Sequence, residues 1–146
     1  MTYEQLKLEN QLCFPFYAAS RLITREYQPF LDKLGITYPQ YLTLLILWEE
    51  DGKAVNDIAK KLLLNTNTIT PLLKRMEKQG LIKRERSGTD ERKVLVHLTE
   101  AGAQMKEEAA SIPQELAKRL LDSNMEVNDL IKLKDNLGAI ISFLTK

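Results

Sequence analysis

The chain of 146 residues predicts a mainly α fold with one small β-hairpin, an α+β arrangement in a single domain over residues 1–146. Three observations carry that expectation. Apolar residues recur at helical spacing over most of the chain, two short helical segments meet at a connection rich in cap-forming residues, and a basic strand–turn–strand segment follows directly. At about 150 residues per domain the length fills one unit. A chain of this size buries about 68–70% of its unfolded surface, enough to fold without a metal or disulfide staple.

The first long segment places Leu8, Leu12, Phe16, Ala19, Ile23, Tyr27, Phe30 and Leu34 at steps of three and four, one face of a helix. Residues 4–34 are therefore expected to be helical, with a kink or a broken first turn at Pro15 and at Pro29 and an end at Gly35. Thr37-Tyr38-Pro39 starts the next helix, with the cap at Thr37 or Tyr38 and proline in the first turn. Residues 41–48 are apolar nearly all round, which predicts a buried central helix. Residues 49–53 read as a turn.

Val55, Ile58 and Leu62 mark a short helix. Asn65-Thr66-Asn67-Thr68 then supplies cap-forming side chains ahead of a helix with Ile69, Leu72, Leu73 and Met76 on one face and a stop at Gly80. The pair spells helix-turn-helix. Residues 81–86 and 93–98 read as strands joined by Ser87-Gly88-Thr89-Asp90. A basic hairpin directly behind a helix-turn-helix is a winged helix-turn-helix layout, here over residues 37–98.

Thr99 opens a helix carrying Ala101, Met105, Ala109, Ile112, Leu116 and Leu120, with a bend expected at Pro113. The last helix holds Leu130, Leu133, Leu137, Ile140 and Leu144, a seam of about two heptads. A small winged-helix core cannot satisfy all of these stripes. The long terminal segments, 4–34 and 100–146, are thus expected to form a dimerisation layer, the alternative being a monomeric bundle.

Composition removes several classes. One cysteine, Cys13, permits no intrachain disulfide, and one histidine, His97, leaves too few soft ligands for zinc, so no metal or cofactor is expected. No apolar run approaches a membrane span and the N-terminus lacks a signal-peptide pattern, which points away from the membrane and to the cytoplasm. The 21 basic and 20 acidic residues balance, but not locally. Between Lys74 and Lys93 stand eight basic residues and four acids, a local charge of +4 against −3 elsewhere. Such a segment is either a docking surface for a polyanion or a solvated face.

Asp90-Glu91-Arg92 in the wing and Leu98-Thr99-Glu100-Ala101-Gly102 behind it, in this order of elements, resemble the MarR family of dimeric winged-helix regulators. The resemblance spans nearly the whole chain. Gln11-Leu12-Cys13-Phe14, Tyr17, Tyr27 and the run from Leu34 to Tyr41 are similar to the organic-hydroperoxide-sensing repressors of that family, as is the segment from Thr68 to Met76. Pro15 stands where the family has an aliphatic or small residue, and Asn65-Thr66-Asn67 stands where it often has Asp-Ser-Gly. The last helices hold no second cysteine, so the resemblance is to the one-cysteine type.

The recognition helix is expected to present Thr66, Asn67, Thr68 and Thr70 to base edges in the major groove, Asn to adenine and the Thr methyl to thymine. Lys74 and Arg75 would grip phosphates, which position without specifying. Arg92 at the hairpin tip suits a narrow minor groove, with Asp90 fixing its guanidinium, and Lys83, Arg84, Arg86 and Lys93 add phosphate contacts. The expected partner is a pseudo-palindromic double-stranded operator, bound by a homodimer with half-sites about 10–10.5 bp apart.

For Cys13, the residues alone allow a small buried hydrophobe. The resemblance implies instead a sensing thiol, with Tyr17 one turn on and with Tyr27 and Tyr38 as phenols that hydrogen-bond the thiolate across the dimer. A phenol donor favours the anion, the species that attacks peroxide. Leu12, Phe14 and Phe16 suit an organic hydroperoxide, and a small thiol would complete the reaction because no resolving cysteine exists. Two rivals follow. One is a repressor released by a small aromatic ligand near Tyr17, Tyr27, Tyr38 and Trp48, with Cys13 inert. The other is a thiol peroxidase, weakened because His97 lies in a wing strand.

Overall fold

The computed structural model describes residues 1–146 and falls into two compact units, Met1–Ala110 and Ser111–Lys146. In the first, Glu4–Leu6 and Leu8–Asn10 form single 3-10 turns, followed by α1 (Phe14–Glu26) and α2 (Gln28–Leu34). The helix expected from residue 4 begins only at Phe14. Proline has no N–H and fits best in a first turn, so Pro15 fixes the start of α1 and Pro29 that of α2. Upstream, side chains hold the backbone: Asn10 Nδ2 donates to Glu4 O (2.7 Å) and Gln11 Nε2 to Lys7 O (2.7 Å). Gly35 ends α2 in the left-handed region, φ 71°.

The third helix, α3 (Tyr38–Glu49), starts at a reciprocal cap. Thr37 Oγ1 accepts from the Gln40 amide, and Gln40 Oε1 accepts from the Thr37 N–H. Such a cap contributes about 1 kcal/mol. Tyr41, Thr43, Leu44, Ile46 and Leu47 are buried, which makes α3 the expected central helix. The segment expected as a turn contains a strand at its end: β1 (Lys53–Ala54) pairs antiparallel with β3. Two residues are too few for alternation to register in sequence.

Next come α4 (Val55–Leu62) and α5 (Thr66–Lys78), joined through Leu63 at φ 58°. Asn65 caps α5, its side chain accepting from Thr68 N at 3.0 Å. Ile58 and Ala59 of α4 are buried, as are Ile69, Leu72, Leu73 and Met76 of α5. Pro71 interrupts the α5 ladder without ending it, on the exposed face. The wing is β2 (Ile82–Arg86) and β3 (Val94–Leu98), and the sheet order is β1-β3-β2.

Helix α6 (Glu100–Ala109) explains the Leu98–Gly102 motif. Thr99 caps it, accepting from Gly102 N at 3.1 Å, and its own N–H and hydroxyl donate to Leu81 O and Gly80 O. A Cβ on Gly102 would lie 2.2 Å from Leu81 O, so only glycine lets α6 approach the start of the wing this closely. Gly102 O also accepts from Trp48 Nε1 at 2.9 Å.

The second unit is α7 (Ile112–Leu121) and α8 (Val127–Leu144). The single helix expected with a bend at Pro113 is thus two helices, with that proline in the first turn of α7. Ile112 and Leu116 are buried, whereas α8 buries no residue although Val127, Ile131, Leu133, Ile140, Phe143 and Leu144 are apolar. In the first unit none of residues 1–30 is buried. Each unit leaves an apolar face uncovered.

Candidate nucleic-acid interface and thiol site

The buried stripe of α5 turns its opposite side outward. Thr66, Asn67 and Thr68 stand exposed on the first turn, Thr70 is half-buried, and Lys74 and Arg75 are exposed further along. The Thr68 hydroxyl is committed to the cap, donating to Asn65 Oδ1 at 3.3 Å, so Asn67 is the free amide of this turn. A cleft of about 510 Å³ opens between the start of α4, the outward face of α5 and the wing. Thr66 and Thr70 line it from α5, and Arg84, Arg92 and Lys93 from the wing. The structure therefore brings five of the sequence-predicted DNA-contacting residues to one concave surface. Asn56 and Asp57 of α4 share it, which no local pattern indicates.

The wing residues divide by what holds them. Asp90 shapes the turn: its N–H donates to Ser87 Oγ, its carbonyl accepts from Lys93 N, and its carboxylate accepts from Arg92 N at 3.0 Å. The same carboxylate lies 3.6 Å from Arg92 Nε, while the Arg92 side chain is 94% exposed. Arg86 Nη1 donates to Glu91 O at 2.8 Å, bracing the tip. Arg84 is a strut: Nη2 bonds Glu77 Oε1 at 3.1 Å and its N–H donates to Glu77 Oε2 at 3.0 Å, tying β2 to α5. Those bonds hold the Glu77 carboxyl below its ordinary range. Counting basic residues could not separate this engaged arginine from the solvent-exposed Arg92. His97 lies in β3 with Nε2 3.1 Å from Glu85 Oε1.

The thiol group is split. Cys13 is free and exposed at the N-cap of α1, and its carbonyl accepts from Tyr17 N at 3.3 Å. Tyr17 is exposed, with the Arg21 guanidinium 5.2 Å from its ring centre. Tyr27 lies beyond the opposite end of α1, whose 13 residues span about 20 Å. A single chain therefore cannot close Tyr27 onto its own Cys13 through α1.

The phenols form their own cluster. The Tyr27 and Tyr38 rings are 4.7 Å apart, and Tyr41 lies 5.8 Å from Tyr27 and 6.1 Å from Tyr38. Burial, then the neighbouring phenols Tyr38 and Tyr41, push the Tyr27 hydroxyl well above the ordinary phenol range. Burial, then Tyr38, raise Tyr41 likewise. Both stay protonated, and so remain donors, at any physiological pH. Tyr41 is an unexpected member, although its spacing of three from Tyr38 places it on the same helix face. Trp48 meets Tyr41 edge-on at 6.5 Å.

A family model described as transcriptional regulator SarA/Rot matches residues 25–109. The organic hydroperoxide resistance transcriptional regulator of Bacillus subtilis is 51% identical over 142 residues, which covers 97% of this chain and 95% of that protein. Among solved structures, reduced AbfR of Staphylococcus epidermidis bound to DNA is 38% identical, with coverage of 99% and 100% and a TM-score of 0.78. The overoxidized AbfR bound to DNA is 38% identical, with coverage of 99% of each chain and a TM-score of 0.76.

Proposed function

This chain belongs to the MarR-type winged-helix transcriptional regulators of the SarA/Rot family, and from that premise we propose a repressor that leaves its operator when an organic hydroperoxide oxidises Cys13. The observation that carries this reading is an exposed, unpaired thiol at the start of α1 in a chain 51% identical to an organic hydroperoxide resistance regulator. The protein acts as a homodimer on pseudo-palindromic double-stranded DNA. We assign residues 37–98 to DNA reading. Segments 4–34 and 100–146 are assigned to pairing with a second copy, which covers the apolar faces that each unit leaves open.

On DNA, Thr66, Asn67 and Thr70 face base edges while Arg92 enters the flanking minor groove. Lys74, Arg75, Arg86 and Lys93 neutralise phosphates. The length of α1 supports a crosswise thiol site: Cys13 of one protomer meets Tyr27 and Tyr38 of the other, with Tyr17 alongside. The Cys13 thiolate attacks the outer peroxide oxygen, the O–O bond breaks, and the alkoxide leaves and takes up a proton as the alcohol. Sulfur loses two electrons and becomes sulfenic acid. A small cellular thiol then condenses with it, forming a mixed disulfide and releasing water.

The added bulk and the lost phenol bonds disfavour the packing that holds both reading heads at operator spacing. A coupling of about 1–3 kcal/mol lowers affinity by about 5- to 150-fold. One peroxide is consumed per thiol, so we read the chain as a sensor and not as an enzyme. No helix is long and apolar enough to cross a membrane, and we place the protein in the cytoplasm with its DNA and thiol pool.

Reduced protein on a duplex from upstream of its own coding sequence tests the reading, with cumene hydroperoxide and a small thiol as signals. Wild type is released and Cys13→Ser stays bound. Equal release of both would remove Cys13 from the switch.

A further inference from the structure

Two glutamines close a hydrogen-bonded ring between the segment that carries Tyr38 and the end of the recognition helix. Gln40 is 4% exposed, and Thr43 is the only other polar residue among the buried side chains. Its Oε1 accepts from Thr37 N at 3.0 Å, and its Nε2 donates to Gln79 Oε1 at 3.0 Å, a residue 39 positions further on. Gln79 in turn donates from Nε2 to Gly35 O at 2.9 Å. Gly35, Thr37, Gln40 and Gln79 thus form a loop of directed bonds. The exposed side chain of Gln79 is held at both functions of its amide, where a surface glutamine is ordinarily left to water.

The ring's ends matter. Thr37 directly precedes Tyr38, whose ring lies against Tyr27 at 4.7 Å. Gln79 is the C-cap residue of α5, whose first turn carries Thr66 and Asn67. Apolar packing between α3 and α5 tolerates small rotations, whereas hydrogen bonds weaken steeply once misaligned. A Tyr38 ring that shifts draws the first turn of α3 with it, and the glutamine ring passes that shift to one end of α5. Over its 13 residues, about 20 Å, a tilt at the cap is a displacement at the base-reading end.

We propose that Gln40 and Gln79 are positioning residues that carry displacement of the Tyr38 segment to the recognition helix, and so set the ratio of reduced to oxidised operator affinity. The proposal rests on the redox reading above and adds the route by which that signal reaches DNA. Neither residue faces the DNA-reading cleft.

The test measures duplex binding of the full-length protein, reduced and after cumene hydroperoxide with a small thiol, for wild type, Gln79→Met, Gln40→Met and the double variant. Because Gln79 is exposed, Gln79→Met keeps the fold. Its reduced affinity stays within about 2-fold of wild type, while the reduced-to-oxidised ratio falls by about 5-fold or more, the scale of losing two directed bonds. The double variant behaves like Gln79→Met, because one broken member already opens the ring. A ratio equal to wild type in Gln79→Met, or equal losses in both redox states, overturns the proposal and leaves the redox reading standing. Failure of wild type itself to release the duplex overturns both, and is read before any variant.

Discussion

Arg92 holds its charge where nothing else in the chain competes for all of it. Asp90 accepts the Arg92 N–H and stands 3.6 Å from Nε, so the arginine is aimed by its base while its head remains in solvent. A pre-aimed guanidinium loses less freedom on entering a narrow minor groove, where negative potential is concentrated. Arg92→Ala is expected to cost about 1–3 kcal/mol of operator binding and to lower the salt slope by about 1. Thermal unfolding should be little changed, since the side chain is 94% exposed and its one ion pair lies at the surface. Duplex titration at several salt concentrations checks both, and unaltered affinity would take the wing out of the interface. Arg84 is the counter-case: the same residue type, on β2, is engaged by Glu77 and joins the wing to α5.

At the scale of elements, α3 organises the aromatic cluster and its titration should be visible. Tyr27 and Tyr41 ionise in the folded protein only above the ordinary value of 10.0 that they regain on unfolding. Between those values the unfolded chain binds fewer protons, so stability is full below about pH 10 and is lost as pH rises further. The urea midpoint is expected to be flat from neutral to about pH 9 and to decline beyond about pH 10, more shallowly in Tyr27→Phe. An identical decline in that variant would remove Tyr27 from the effect.

Elements also differ in how openly the residues announce them. Helices α3, α4 and α5 and both wing strands are legible in the sequence because periodicity, caps at Thr37 and Asn65 and turn chemistry at Ser87–Asp90 agree with one another. The N-terminal segment is not. Leu8, Leu12 and Phe16 keep helical spacing across Pro15, yet the helix starts only at Phe14 because the proline, not the apolar period, decides the start. β1, the Glu77–Arg84 strut and the Gln40–Gln79 bond depend on segments remote in sequence, and no local rule marks such pairs. Cys13, Tyr27 and Tyr38 can be nominated by resemblance, but nothing in their spacing says that α1 holds the thiol and Tyr27 apart.

For the whole molecule, the crosswise site proposed above would have each sensing centre borrow half its parts. On that proposal, two-fold pairing would serve every thiol with phenols of the opposite subunit and make the two centres equivalent. Two damaged chains should then complement each other. Cys13→Ser keeps its phenols and the double variant Tyr27→Phe/Tyr38→Phe keeps its thiol, and each alone should be deaf to hydroperoxide. In a mixed pair the surviving sulfur faces the surviving phenols, so co-produced subunits should regain one working centre and respond to oxidant. Purified heterodimers that remain as unresponsive as either parent would place thiol and phenols in the same subunit. Within a cell, the length of one short helix would thus let two faulty alleles together do what neither does separately.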